Sequence, residues 1–263
     1  MNDFLRNIIS ERKLAVRRAG KEMPLSALRN SVDKNRKIIS LAARLKAPPS
    51  GRVNIIAEMK RASPSEGELL PDLDPARLAL EYEKAGAAAV SILTEPAHFL
   101  GRDEDIREAR KAINIPILRK DFTVDPWQVF QSAALGADVI LLIAAALERG
   151  LLRELYAAAG EARLEAIIEV HDLPELETAL QFPDAIIGVN NRNLATLKTD
   201  LETARRLAAA IPPGRKAIVE SGIKTRREVE MFTELGYRGF LVGTSLLKSK
   251  SPEKHLAELI GGK

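Results

Sequence analysis

Eight short apolar runs recur along this chain, and each is followed by a stretch with helical periodicity. In order they are Asn54–Glu58, Ala88–Thr94, Ile115–Lys120, Asp138–Ile143, Ala166–Val170, Ala185–Asn190, Ala217–Glu220 and Gly239–Gly243. Segments between them, such as "PARLALEYEKAG", "PWQVFQSAALG" and "PELETALQF", place apolar residues three to four positions apart, the spacing of one helix face. Strands that alternate with helices form βαβ units and a parallel sheet, because a parallel neighbour is reached only by a crossover. Eight such units in about 210 residues predict a closed (β/α)8 barrel rather than an open doubly wound sheet. No G-x-G-x-x-G follows the first run and no G-x-x-x-x-G-K-[ST] occurs, which weakens the nucleotide-binding alternative. Asp74-Pro75, Asp125-Pro126 and Ser251-Pro252 read as helix starts, with a capping residue ahead of a first-turn proline. Gly86, Gly136 and Gly236 read as helix ends.

The barrel is expected over residues 51–263, behind an extension of residues 1–50 in which 25–45 form one or two helices and "APPSG" is a linker. The extension holds 12 Lys/Arg against 4 Asp/Glu, whereas the whole chain carries only +4. A basic arm could suit nucleic acid or an anionic membrane surface, but the preferred reading is a solvated helix face packed on the barrel. Aromatic residues make up 4% of the chain and do not interleave with the arm, so no base-stacking platform is visible and no nucleic-acid partner is expected. No apolar run reaches the ~18 residues of a membrane span, and "MNDFLRNIIS" does not read as a secretory signal. Cysteine is absent, which excludes disulfides and thiolate metal sites and fits a reducing cytoplasm.

The polar residues then locate a site. Barrel enzymes gather their catalytic groups at the carboxyl ends of the strands. Here those ends read Glu58-Met59-Lys60, Lys120-Asp121-Phe122, Glu169-Val170-His171, Asn190-Asn191-Arg192 and Glu220-Ser221-Gly222. Strand side chains alternate faces, so Glu58 and Lys60 point one way, as do Lys120 and Phe122, and Asn190 and Arg192. One such pair would be an ordinary surface ion pair worth little. Five strand ends with charge or amide at the same relative position point instead to an active site. Ser63 and Ser65 after the first run, Gly222 after the seventh, and Gly243-Thr244 after the eighth offer small residues and hydroxyls of the kind that let a backbone approach phosphate. His98, His171 and His255 lack metal-ligand spacing; each is expected to be structural or exposed, with a minor acid/base role open to His171. Trp127, early in a helix, is expected to pack.

The motifs "IIAEMKRASPSEG", "LRKDFTVDPWQV", "IIEVHD", "GVNNRNL", "VESGI" and "LVGTSLL", in this order over residues 54 to 247, resemble the indole-3-glycerol-phosphate synthase family. The resemblance implies a (β/α)8 barrel whose leading helical extension helps cover the mouth. It implies ring closure of 1-(2-carboxyphenylamino)-1-deoxyribulose 5-phosphate, with loss of carbon dioxide and water, in tryptophan biosynthesis. Neither cofactor nor metal is implied, and the partner is a small phosphorylated substrate bound by a monomer, with a homodimer as the alternative. Carried over by motif, Lys120 is the general acid at the carbonyl oxygen and Glu169 the acid/base group of the dehydration. Lys60 holds the substrate carboxylate, while Glu58 and Asn190 position Lys60, the hydroxyls and the reacting centre. Glu220, Arg192 and Ser221 complete the polar wall. Ser63, Gly222, Gly243 and Thr244 bind phosphate, and Phe99, Phe122, Leu141 and Leu194 pack the aromatic ring. Two rivals are another phosphosugar barrel enzyme (an isomerase, or a Schiff-base aldolase using Lys120) and a non-catalytic barrel whose basic arm binds nucleic acid or a partner.

Overall fold

The structure, a computed structural model, describes residues 3–33, 35–46 and 52–261. The expected linker at 47–51, and with it the boundary between extension and barrel, lies outside those residues. Eight parallel strands close into a barrel: β1 (Asn54–Met59), β4 (Ala89–Leu93), β5 (Ile117–Lys120), β6 (Val139–Ile143), β7 (Glu165–Val170), β8 (Ile186–Asn190), β9 (Ala217–Glu220) and β10 (Gly239–Val242). Closure is made by β1, which pairs with β4 on one side and with β10 on the other. A small hairpin unforeseen in the sequence, β2 (Ala62–Ser63) with β3 (Gly67–Glu68), stands between β1 and α4 (Pro75–Lys84). Helices α5 (Glu104–Ala112), α6 (Pro126–Leu135), α7 (Arg149–Glu161), α8 (Leu173–Ala179), α9 (Glu202–Ala208) and α10 (Arg226–Glu234) follow successive strands, and α11 (Thr244–Leu247) and α12 (Pro252–Ile260) follow β10.

The period of two divides each strand between two cores. Ile55, Ala57, Ile117, Ile187, Val189 and Val219 face the outer helices and belong to the large sheet–helix core. Ile56, Ala89, Leu118, Val139, Ile167, Ile186, Ile218 and Leu241 fill the barrel interior. The interior is therefore solid below the rim, as in other barrels of this class. The Asp74 and Asp125 side chains accept the Arg77 and Trp127 backbone N–H groups at 2.9 and 2.8 Å, the expected N-caps. Ser251 departs from that expectation and makes no side-chain cap. Gly86, Gly136 and Gly236 each take a left-handed φ near the ends of their helices.

The extension divides between the two ends of the barrel. Helix α1 (Asp3–Glu22) lies at the carboxyl-end rim, where Leu5 and Ile9 pack with Val124 against Phe122 and Leu194. Arg12 Nη2 donates to Asp121 Oδ2 at 2.8 Å, and the His98 ring meets Phe4 edge-on at 5.6 Å. Helix α2 (Leu25–Ser31) packs against α6 on the barrel's side. Helix α3 (Leu41–Lys46) sits at the opposite end, so of the extension's described helices α1 is the one at the mouth. Leu41 and Leu45 are fully buried in the interior core, and a side chain at Gly239, the first residue of β10, would lie 2.6 Å from Leu45. Ala42 N–H donates to Glu165, and Ile39 N–H donates to Asp138, both at the amino ends of strands. The reason is chemical: the segment alternates leucines that fill the open bottom with backbone amides that satisfy one buried and one half-buried carboxylate.

Candidate active site

In register above the apolar interior comes a ring of polar groups, four of them ionisable: Glu58, Lys120, Glu169, Asn190 and Glu220, with Lys60 just past the end of β1. Glu58, Glu169 and Glu220 are only 5%, 2% and 1% exposed, so each needs a partner. Lys60 Nζ donates to Glu58 Oε1 at 2.5 Å. Lys120 Nζ donates to Glu220 Oε2 at 2.5 Å and to Glu169 Oε2 at 3.2 Å. Strand β1 thus runs straight into charge because its last inward residue, Glu58, pairs with Lys60 two positions later. The strand that delivers Lys120 is anchored from outside: Arg119, facing the helix layer, donates to Thr94, Gln131, Ser132, Asp103 and Asp121.

Burial and charge oppose each other at these groups. Burial pulls the Lys120 ammonium down, but the Glu220, Glu169 and Glu58 carboxylates together hold it above the ordinary lysine value. Burial pushes Glu169 up, and Lys120, His171 and a hydrogen bond from Asn190 outweigh it, so this carboxylate stays ionised well below the usual range. Glu220 differs: burial, with Glu169 and Glu58 nearby, raises it to about 7 against the pull of Lys120. The ring therefore contains an ammonium, a firmly ionised carboxylate and a carboxyl poised near neutrality, a set suited to general acid–base work.

These groups open into a cavity of about 900 Å³. Every catalytic, substrate-binding and phosphate-binding residue carried over by motif lines it except Ser63, and His171 lies outside it. Phe99, Phe122, Leu141 and Leu194 form apolar wall; Arg192, Ser221, Gly222, Gly243 and Thr244 line the rim. Ser63 is turned aside because it pairs with Gly67 in the β2–β3 ladder, which buries its hydroxyl without a hydrogen-bond partner. Ser65, at the hairpin tip, lines the cavity instead and accepts a hydrogen bond from Arg192 Nη1 at 3.1 Å. Gly222 has φ +90, follows Ser221 at φ +64, and leaves no room for a side chain beside Thr199 and Leu201. A side chain at Gly243 would lie 2.5 Å from Glu58 Oε1. Among the described residues no group of three or more His, Asp or Glu is arranged to hold a metal ion.

The model of the family "Indole-3-glycerol phosphate synthase" matches residues 5–259. The chain belongs to the indole-3-glycerol phosphate synthase family. Membership makes it an enzyme, a carboxy-lyase of tryptophan biosynthesis. A synthase of that name from Syntrophobacter fumaroxidans is 41% identical over 261 residues, covering 99% of this chain and 98% of its own. One from Laribacter hongkongensis is 42% identical over 261 residues, covering 98% and 99%. Among solved structures, the 3-hexulose-6-phosphate synthase from Salmonella typhimurium superposes with a TM-score of 0.63 at 13% identity, over 79% of this chain and 96% of its own. A KGPDC from Streptococcus mutans gives 0.61 at 12%, over 79% and 95%. At those identities the likeness is one of barrel fold.

Several cavity residues of this family member carried no signal in the sequence. Lys248 and Glu66 form an ion pair across the mouth, and Lys224, Thr199 and Leu201 also line the cavity. They lie on loops, outside the strand-end pattern, so only the folded rim brings them together. Trp127 packs as expected and its Nε1 donates to the Met23 carbonyl at 2.8 Å.

Proposed function

We propose that this chain closes the indole ring of 1-(2-carboxyphenylamino)-1-deoxyribulose 5-phosphate with Lys120 as general acid and Glu169 as the acid/base group. The observation that carries the assignment is the Lys120 ammonium held between Glu220 and Glu169 over the cavity floor. When the aromatic carbon that bears the carboxylate attacks the sugar carbonyl, negative charge builds on the carbonyl oxygen. An alkoxide is more basic than an amine, so a lysine kept protonated by its neighbours delivers a proton there as the bond forms. A positioned acid of this kind is worth roughly a hundred- to ten-thousand-fold in rate. Carbon dioxide then leaves, and the ring regains aromaticity. In the last step Glu169, ionised, takes a proton from the adjacent CH2 group while Lys60 gives one to the hydroxyl, which departs as water.

Lys60, fixed by Glu58, meets the substrate carboxylate and afterwards lies near the departing hydroxyl. Asn190 and Glu220 hold the hydroxyls and Lys120. Arg192, Ser221, Gly222, Gly243 and Thr244 bind the phosphate, the last two at the start of α11 where backbone N–H groups lack helical acceptors. Ser65 replaces Ser63 in that role. Phe99, Phe122, Leu141 and Leu194 sandwich the anthranilate ring. The lack of cysteine, with no described helix long and apolar enough to cross a membrane, supports the cytoplasm as its compartment. A Schiff-base aldolase reading is disfavoured because the neighbours that protonate Lys120 suppress the free amine it would need. The test is the rise of indole fluorescence from synthetic substrate, with borohydride added in a parallel run. Product without a trapped lysine adduct supports the proposal; a trapped adduct and no product would overturn it.

A further inference from the structure

We infer that His171, clamped by Glu175, is a positioning residue that keeps Glu169 ionised and fixes which of its oxygens faces the reacting centre. The inference rests on the assignment of Glu169 as the acid/base group. It begins with the geometry of two carboxylates around one imidazole. His171 Nδ1 lies 3.0 Å from Glu175 Oε2, and Nε2 lies 3.4 Å from Glu169 Oε1. Nε2 is buried with no hydrogen-bond partner, so Glu169 is the group it faces. Either neutral tautomer would turn a lone pair toward one of the two carboxylates. Only the imidazolium offers N–H to both, and this arrangement therefore favours the doubly protonated ring.

The clamp is built into a helix start. Asp172 caps α8 by accepting the Glu175 N–H at 2.9 Å. Glu175 reaches back, and its Oε2 accepts the His171 backbone N–H at 2.8 Å as well as meeting the ring. Ring and carboxylate are thus fixed by the local chain rather than by substrate. On the other side, Glu169 Oε2 accepts from Lys120 at 3.2 Å. One oxygen of Glu169 is consequently held by a cation outside the cavity and the other is aimed at Lys120 within it. The charged groups facing this unit are Lys120 and Glu220 with Glu58 beyond, and, around the ring, Glu169 and Glu175. Consistent with the geometry, burial draws His171 down while Glu169 and Glu175 more than reverse it.

A double-mutant cycle on the full chain tests this. His171→Asn should lower kcat by about ten- to a hundredfold, the coupling expected within one hydrogen-bonded network, and leave KM within about twofold. In the Glu169→Gln background the same change should have no effect on the residual turnover, because the residue acts through Glu169. Equal losses in both backgrounds would mean a merely structural role and would overturn the inference. If Glu169→Gln is slow while His171→Asn matches the parent, the inference alone falls. If Glu169→Gln itself turns over normally, the assignment of Glu169 falls first. Two measurements stand should His171→Asn fail to fold. Glu175→Gln keeps an acceptor for Nδ1 but removes the charge, and it should also lose turnover. In the unaltered protein, ¹⁵N histidine spectra should show His171 doubly protonated at pH 8; a neutral ring there would overturn the idea.

Discussion

Gly188 flanks the ring of buried charges with no room for even a methyl group. It lies in the middle of β8, opposite Glu169 on β7 and Ile218 on β9, and points into the barrel. A methyl group there would collide with Glu220 Oε1 and come within 2.8 Å of Ile167 Cγ2. Glu220 Oε1 makes no hydrogen bond, so it is the part that yields, and rotating the carboxylate draws Oε2 off Lys120 Nζ. A charge-assisted hydrogen bond is worth about 1.5–3 kcal/mol, which at 1.36 kcal/mol per decade corresponds to roughly ten- to a hundred-fold or slightly more in kcat for Gly188→Ala. Stability should change less: overpacking costs about 1–3 kcal/mol, offset by about 0.5–1 kcal/mol from removing a glycine inside a strand. The assay is indole-product fluorescence for kcat and KM, with thermal unfolding alongside. A kcat equal to the parent's, with folded protein in hand, would refute the claim that the void at Gly188 exists to seat Glu220.

Lys120→Met should cost at least about a hundredfold in turnover with cooperative unfolding retained, and near-parental turnover would reject its role as acid. Gly222→Val should raise KM more than it lowers kcat, since the left-handed turn and the Thr199–Leu201 contact forbid a side chain beside the phosphate groups; an unchanged KM would count against that placement. His171 is held up at about 10 against an unfolded value of about 6.5. The stability it contributes is therefore complete below about pH 6.5 and is lost as pH climbs through about 10, so the urea midpoint should fall over that window in the parent and fall less in His171→Asn.

The eight strands were legible because each is bounded by turn chemistry and buried on both faces, which leaves a plain apolar run. The inward ring was legible too, since Glu58, Lys120, Glu169, Asn190 and Glu220 all close such runs. What stayed hidden depends on tertiary geometry. Nothing local distinguishes Leu41 and Leu45, which plug the barrel bottom, from leucines on a covering helix. Ser63 and Ser65 are equivalent in the sequence, and only a two-residue ladder decides that Ser65 faces the cavity. Gly188 reads as a weak point in a strand until Glu220, thirty-two positions later, is seen to fill its space.

The same geometry explains how a barrel tolerates so many buried charges. Each carboxylate in the ring already meets a cation: Glu58 with Lys60, Glu220 with Lys120, Glu169 with Lys120 and His171. Losing Lys60 or Lys120 would leave an uncompensated buried charge, which costs about 3–5 kcal/mol. The arrangement has a catalytic consequence as well as a structural one. Dipoles and charges fixed before substrate arrives need no reorganisation when charge develops on the carbonyl oxygen. Substrate brings a carboxylate and a phosphate to a rim where Lys60, Lys120 and Arg192 converge, and the carboxylate leaves as neutral carbon dioxide partway through. In the proposed mechanism Lys60 then faces a hydroxyl rather than an anion, while Glu58 still holds it in place. A site built of matched pairs can thus lose one substrate charge midway without stranding any of its own.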